Sequence, residues 1–257
     1  MTGSKIGQNS GARVVTVQHI LAPLAMRLAG RINLSPTDHA ALLALPVQER
    51  SLPVGGYVIQ EGDRATSCHI MLCGLAHRHR FSAEGLRHIV GIHGPGDILN
   101  LPSLPPPAAE DFVQALTVVR VAMVPIENIL DLSRTCPAIA SALWTEAEAE
   151  LSITRAWVAN MGRRDARGRI AHLFCELVMR SHPSSGFDGC VFTLPLTQSE
   201  LADATGMTTV HVNRTLRALE SDGVIRRDRR EIMVPQWQRL AQMADFRPAT
   251  WAGRRTA

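Results

Sequence analysis

The chain has 257 residues, 46% of them apolar, enough for two modest domains with real cores. No run of about 18 uncharged apolar residues occurs, so no membrane-spanning helix is expected, and the opening MTGSKIGQNSGARVV lacks the apolar stretch of a secretory signal. Charge is uneven: residues 1–159 carry net −1 and residues 160–257 net +5, which points to a polyanion partner for the C-terminal half.

Residues 1–20, rich in Gly, Ser and Asn, read as a loose tail. A sensor domain is expected over 21–136. LSPTDHAALLAL opens it as a helix, with Ser35 or Thr37 as cap and Pro36 at the first helical position. From about residue 50 to 126, short apolar runs alternate with Gly and Pro turns, as in a barrel or jelly roll. Tyr57 to Gln60, CHIMLCG, LAHRHRF, LRHIVGI and ALTVVRVAMVP are its strands. The five cysteines, Cys68, Cys73, Cys136, Cys175 and Cys190, are scattered and form no C-x-x-C pair. Neither a disulfide framework nor a zinc knuckle is expected, and a reducing cytoplasm is the expected home.

Within the barrel, HRHRFSAEGLRH sets His77 and His79 two apart, hence on one face of a strand, with Glu84 and His88 beyond. Two imidazoles and a carboxylate can hold a divalent metal, so a cupin-like metal enzyme is the alternative reading. Three features oppose it. Met71 stands where such a motif has Gly, no His follows His93 until His172, and Glu84 falls in the hairpin turn. No metal site and no enzyme are expected, and the hairpin histidines are expected to be solvated.

After Pro137, the segment to Met161 lacks internal Gly and Pro and places Ile139, Leu143, Ala147 and Leu151 every four residues, followed by Trp157 and Met161. That is a long helix with an apolar stripe. A helix linking two domains has little of its own chain to cover it, so the stripe is expected to be a dimer seam rather than a face packed on its own barrel.

A DNA-binding domain is expected over 162–242, before a basic tail (243–257). TQSE at 197–200 is a capping box opening a short helix, Gly206 permits the turn, and Thr208 caps a second helix with Val212, Leu216 and Leu219 buried. Thr209, Val210, His211, Asn213, Arg214 and Arg217 fall on its N-terminal end and exposed side, so this is helix-turn-helix architecture with the second helix as the reader. GVIRRDRREIMV then reads as a two-stranded wing whose Arg226, Arg227, Arg229 and Arg230 suit phosphate oxygens.

The segment resembles the winged helix-turn-helix of the Crp/Fnr family of bacterial transcription regulators, in a branch common in alphaproteobacteria. Asp165, Gly168, Arg169, Ile170 and Ala171 match the family's D-x-x-G-R-I-A hinge, and Gly62-Asp63, Gly74, Gly85 and Gly96-Asp97 its barrel turns. The resemblance covers roughly residues 30–240. It implies an α+β chain of two domains: an N-terminal cyclic-nucleotide-binding-like jelly roll, a long dimerisation helix and a C-terminal winged helix-turn-helix. It also implies a homodimer on an inverted repeat of double-stranded DNA, RNA polymerase as a further partner, and DNA contacts by Thr197, Gln198, Thr208 and the residues of the second helix and wing.

The family's cyclic-nucleotide site uses a Gly-Glu pair and an Arg-Ser pair. Here these positions are Asn100-Leu101 and Asp111-Phe112, with Thr154 where a base-contacting Thr stands. Loss of the Glu and Arg, with an Asp facing the phosphate, implies that cyclic AMP does not bind in the usual mode. The first cysteine, Cys68, lies inside the barrel, so the N-terminal iron–sulfur cluster of some members is not expected. His77, His79, His88 and His93 leave haem as an open alternative without an axial-ligand signature. The family's Arg and Glu at the start of the reading helix are Thr209 and Val210 here, while Arg214 keeps the place of its second base-reading Arg.

Overall fold

The computed structural model describes residues 20–64, 66–101, 108–181 and 187–247. The N-terminal tail up to residue 19, the Pro-rich segment 102–107, residues 182–186 and the tail from residue 248 lie outside the described residues.

Two helices lead the chain, α1 (Ala22–Ala29) and α2 (Pro36–Leu43). At the start of α2, Ser35 Oγ accepts from the Asp38 N–H and the Asp38 carboxylate accepts from the Ser35 N–H. Pro36 occupies the first turn, where an N–H has no partner in any case. Strands follow as β1 (Gln48–Leu52), β2 (Tyr57–Ile59), β3 (Ser67–Cys73), β4 (Ala76–Phe81), β5 (Arg87–His93), β6 (Phe112–Ala115) and β7 (Val119–Pro125). They pair antiparallel into two sheets, β1-β7-β3 and β2-β6-β4-β5, with Val58, Met71, Val113 and Val121 in the core they share. The β3–β4 turn requires glycine. Gly74 has φ +83°, and a Cβ there would lie 2.3 Å from the Val118 carbonyl oxygen.

Two further helices are α3 (Ile126–Thr135) and α4 (Pro137–Arg163). The outward side chains of β3, Cys68, Ile70 and Leu72, join α1, α3 and the first turns of α4 in a second core layer. β3 is thus covered on both faces, which is why CHIMLC runs apolar without alternation. With 27 residues, α4 is about 40 Å long. Its first half lays Ile139 and Ala142 on the barrel layer, and its second half puts Ile153 and Trp157 into the core of the C-terminal domain.

The C-terminal domain comprises α5 (Ala166–Ser181), β8 (Cys190–Thr193), α6 (Gln198–Thr205), α7 (Thr209–Ser221), β9 (Arg226–Asp228), β10 (Glu231–Val234) and α8 (Trp237–Met243), with the sheet ordered β8-β10-β9. Arg169 ties its parts together, donating to the carbonyls of Met161, Arg164 and Thr205 at 3.0–3.1 Å. Gly206, at φ +62°, is the helix-turn-helix turn, and an added Cβ would meet the Met161 methyl of α4 at 2.3 Å. The two domains pack on each other. Ile89, Ile92 and Leu116 of the barrel share a core with Phe174 and Leu201, and Arg87 of β5 pairs with Asp203 of α6 at 2.8 Å.

Candidate nucleic-acid interface and sensor pocket

The helix-turn-helix forms as its capping chemistry dictates. Thr197 and Glu200 make a reciprocal capping box at α6, and Thr208 accepts from the His211 N–H at α7. Val212, Leu216 and Leu219 are buried. Thr208, Thr209, Val210, Arg214 and Arg217 are exposed, and His211 and Asn213 half-buried. Asn213 donates to the Gln198 side chain at 2.8 Å, so the first residue of α6 and the reading face of α7 are bonded side by side. Val210 is 78% exposed, an apolar side chain with nothing of its own chain over it. Arg214 and Arg217 form no ion pair among the described residues.

The wing forms as expected, but its arginines divide. Arg227 pairs with Glu220 of α7 at 2.9 Å, and Arg230 donates to the carbonyls of Leu194 and Pro195. Arg230, expected to meet DNA, is exposed and also anchors the wing to the segment before α6. Arg226 and Arg229 stay exposed and unpaired among the described residues, Arg229 at the wing tip with φ +52°.

A cavity of about 1000 Å³ opens between the barrel and α4. Asn100, Leu101, Asp111 and Thr154 line it together, as the resemblance implied. Phe112 does not. Strand alternation turns it to the outer face, where it stacks on His79 at 5.2 Å and meets Phe81 and Tyr57. The same alternation brings in arginines that the sequence reading passed over. Arg78 and Arg80 alternate with the histidines in HRHRF and point inward, joined by Arg50, Arg64 and His69. Asp111 therefore does not face the cavity as a bare charge, because Arg78 holds it at 2.6 Å, and Arg80 pairs with Glu110.

The expected dimer seam also divides. Ile139 and Trp157 are buried in their own chain, Trp157 donating to the Glu176 carboxylate at 2.9 Å, and Leu143 packs on the barrel layer. Ala147 is half-buried and Leu151 exposed. The uncovered stripe consists of Trp144 (72% exposed), Ala147, Leu151, Thr154, Val158 (69%) and Met161. Their alternate spacing of three and four is the a/d pattern of a two-helix seam.

The hairpin forms as read, yet His77 and His79 are buried rather than solvated. Their rings lie 4.8 Å apart, and among the described residues none of their four nitrogens is within hydrogen-bond geometry of a partner. Glu84 is exposed at the turn, away from the two buried imidazoles, and His79 packs against the Phe81 and Phe112 rings. His88 is exposed and His93 faces the barrel interior, so the four histidines do not converge. Burial, aided by Arg87, pushes His77 down to about 3 and His79 down to about 4, from an ordinary value of 6.5. The folded protein refuses protons that the unfolded chain takes up below pH 6.5, so stability falls with acid through the window from there to about pH 3–4. At about pH 5 the expected loss is roughly 2 kcal/mol per histidine. Urea denaturation across this range reads it, and His79→Phe should flatten the profile; an unchanged profile contradicts the assignment.

Residues 49–136 match the cyclic nucleotide-binding domain family and residues 168–243 the Crp-like helix-turn-helix domain family. The chain is 29% identical over 201 residues to the transcriptional activator protein FnrL of Cereibacter sphaeroides, covering 76% of this chain and 79% of that one. It is 23% identical over 198 residues to the fumarate and nitrate reduction regulatory protein of Escherichia coli, with the same coverage. The solved structure of FixK2 from Bradyrhizobium japonicum superposes with a TM-score of 0.68 at 22% identity, over 77% of this chain and 98% of that one, and so shares the fold.

Proposed function

We propose that this chain, a member of the Crp/Fnr family of transcription regulators, acts as a cytoplasmic homodimer reading an inverted-repeat operator through α7, with regulatory input at the barrel cavity. The observation that carries the reading is the exposed, uncompensated face of α7. Arg214 is placed to make a paired bond with a guanine edge, and Val210 to cover a thymine methyl. Thr197, Gln198, Thr208, Arg226 and Arg229 suit the flanking phosphates, while His211 and Asn213 suit a base edge or phosphate. RNA polymerase is the further partner this role calls for.

Arg214→Ala is expected to weaken operator binding by about 1–3 kcal/mol and to relax preference at one base position. Titration against single-base operator variants checks it. Equal weakening on every sequence would make Arg214 a phosphate contact.

The cavity does not suit cyclic AMP. Leu101 replaces the carboxylate expected to hold a ribose hydroxyl, and Arg78 is already committed to Asp111 and to the Leu99 carbonyl. Isothermal titration with cyclic AMP is expected to show no micromolar binding; micromolar binding would overturn this. The cysteines do not suit an iron–sulfur cluster either. None precedes Cys68, which is buried, and no metal-holding group of three occurs among the described residues. No haem, cyclic nucleotide or metal enters this reading.

A further inference from the structure

We infer that the cavity, read above as the regulatory site, takes an apolar organic monocarboxylate, anchored by Arg50 on the β1-β7-β3 wall. This names the class of molecule that enters the site and moves its anion away from positions 100–101 and 111–112.

Those positions are already satisfied. Asn100 Oδ1 accepts from the His69 N–H at 2.7 Å and faces His69 Nδ1 at 3.1 Å, while Nδ2 donates to the Ser67 carbonyl at 2.9 Å. Leu101 offers no polar side-chain atom. Arg78 is engaged on three sides, by Asp111, the Leu99 carbonyl and His93, and Arg80 is held by Glu110. An anion arriving there breaks a bond for each one it makes, so little is gained.

Arg50 differs. β1 sets it opposite Val121 of β7, which lies opposite Met71 of β3, and Leu52 two residues on is buried with both. Strand alternation therefore puts Arg50 on the inner face of the jelly roll, at the cavity wall, with β7 and β3 between it and residues 97–99. Its guanidinium has no ion pair and no hydrogen bond among the described residues, and the same holds for Arg64. The neighbouring carboxylate, Glu49, points outward and pairs with Arg120. A charge on an inner face is ordinarily paired, so this fork is open for a carboxylate from outside the chain.

The rest of the wall narrows the class. Arg78–Asp111 and Arg80–Glu110 cancel, which leaves Arg50 and Arg64 against Asp63 and Glu150 among the described lining residues. Burial lowers the His69 pKa, so its ring adds no charge. A wall of no net charge with an open guanidinium suits one negative charge, whereas a phosphate dianion brings a second that Asp63 and Glu150 oppose. Two parallel N–H bonds from the fork match a carboxylate. Val58, Ile59, Leu99 and Met123 line the remaining space, and about 1000 Å³ leaves room for an apolar body.

Isothermal titration of the full chain with octanoate, 1-octanol and octyl phosphate tests this at about pH 8.5, where a phosphate monoester carries two charges. Octanoate should bind about tenfold or more tighter than either comparator. Arg50→Gln should erase the preference for the acid over the alcohol. Arg120→Gln, which removes the same charge from the outer face, should leave it intact. No saturable octanoate binding below about 1 mM, equal binding of acid and alcohol, or tighter binding of the phosphate would overturn the inference. So would an Arg50→Gln variant that self-associates yet still prefers the acid, because Arg50 would then only guard the edge of β1. A reading on the unaltered protein removes any doubt about variant folding. Octanoate should protect Arg50, and not Arg120, from modification by phenylglyoxal, and absence of protection sinks the assignment. No step involves DNA. Octanoate binding that leaves operator affinity unchanged would therefore contradict the regulatory role of the cavity and leave the carboxylate site standing.

Discussion

Leu151→Arg is expected to convert the protein into a monomer and to lower its affinity for an inverted repeat by about 100-fold or more. Leu151 lies at the middle of the stripe running from Trp144 to Met161, and its own chain does not cover it. Trp144 and Val158 stand seven residues before and after it, so an arginine there meets its own copy across a two-fold seam. Two guanidiniums brought together in an apolar seam are strongly unfavourable, whereas in the monomer the same arginine is solvated at no cost. The loss on DNA follows from linkage: two half-sites joined by a dimer act at high effective concentration, and two monomers do not. Sedimentation equilibrium should show the change in mass. Binding to a single half-site should change little, which separates loss of dimer from loss of fold. Ile139→Ala gives the contrast. It removes a buried side chain from the barrel layer, so it should cost about 2–5 kcal/mol of stability without selectively dissociating the dimer.

Asp97→Ala is expected to destabilise the fold by about 3–5 kcal/mol. Burial alone would raise the Asp97 carboxyl, but Arg180 and Arg27 outweigh it and hold it well below the usual range. Removing the carboxylate leaves two guanidiniums facing each other with side-chain exposures of 19% and 8%. Arg27 keeps Glu146 and Arg180 keeps Glu176, yet the contact between domains loses its central charge. The loss should concentrate there, so urea denaturation of the variant should separate into two transitions. A single transition shifted by less than about 1 kcal/mol would show that packing of Ile89, Ile92 and Leu116 alone holds the domains.

The DNA-binding half was legible because its signals are local. Capping residues, a turn glycine and a 3.6-residue stripe all lie within one stretch of chain, and each took the position its chemistry requires. The barrel was legible in its turns but not in all its strands. β1, QERSL, is exposed at four of five positions and carries no apolar alternation, because it is an edge strand paired only to β7. Of the apolar stripe expected on α4, Ala147, Leu151 and Met161 stay on its uncovered face, while Ile139 and Trp157 are buried in their own chain. Ile139 and Trp157 are as apolar as Trp144 and Val158, and nothing in the sequence says that the barrel and α5 claim the former. In HRHRF the two-residue period was read for the histidines and not for Arg78 and Arg80, the residues that reach the cavity. The Asp97 junction joins residues 27, 97, 146 and 180, contacts that only the folded chain brings together.

The most direct measurement of the central claim is selection of bound sequences from random DNA by the purified full chain, with the stoichiometry of the selected complex. The account predicts an inverted repeat, two protomers per site and half-site centres one helical turn apart, about 34–36 Å. It also predicts that Arg214→Ala loses preference at one position in each half. A single half-site bound by one protomer, or enrichment of no sequence, would contradict it.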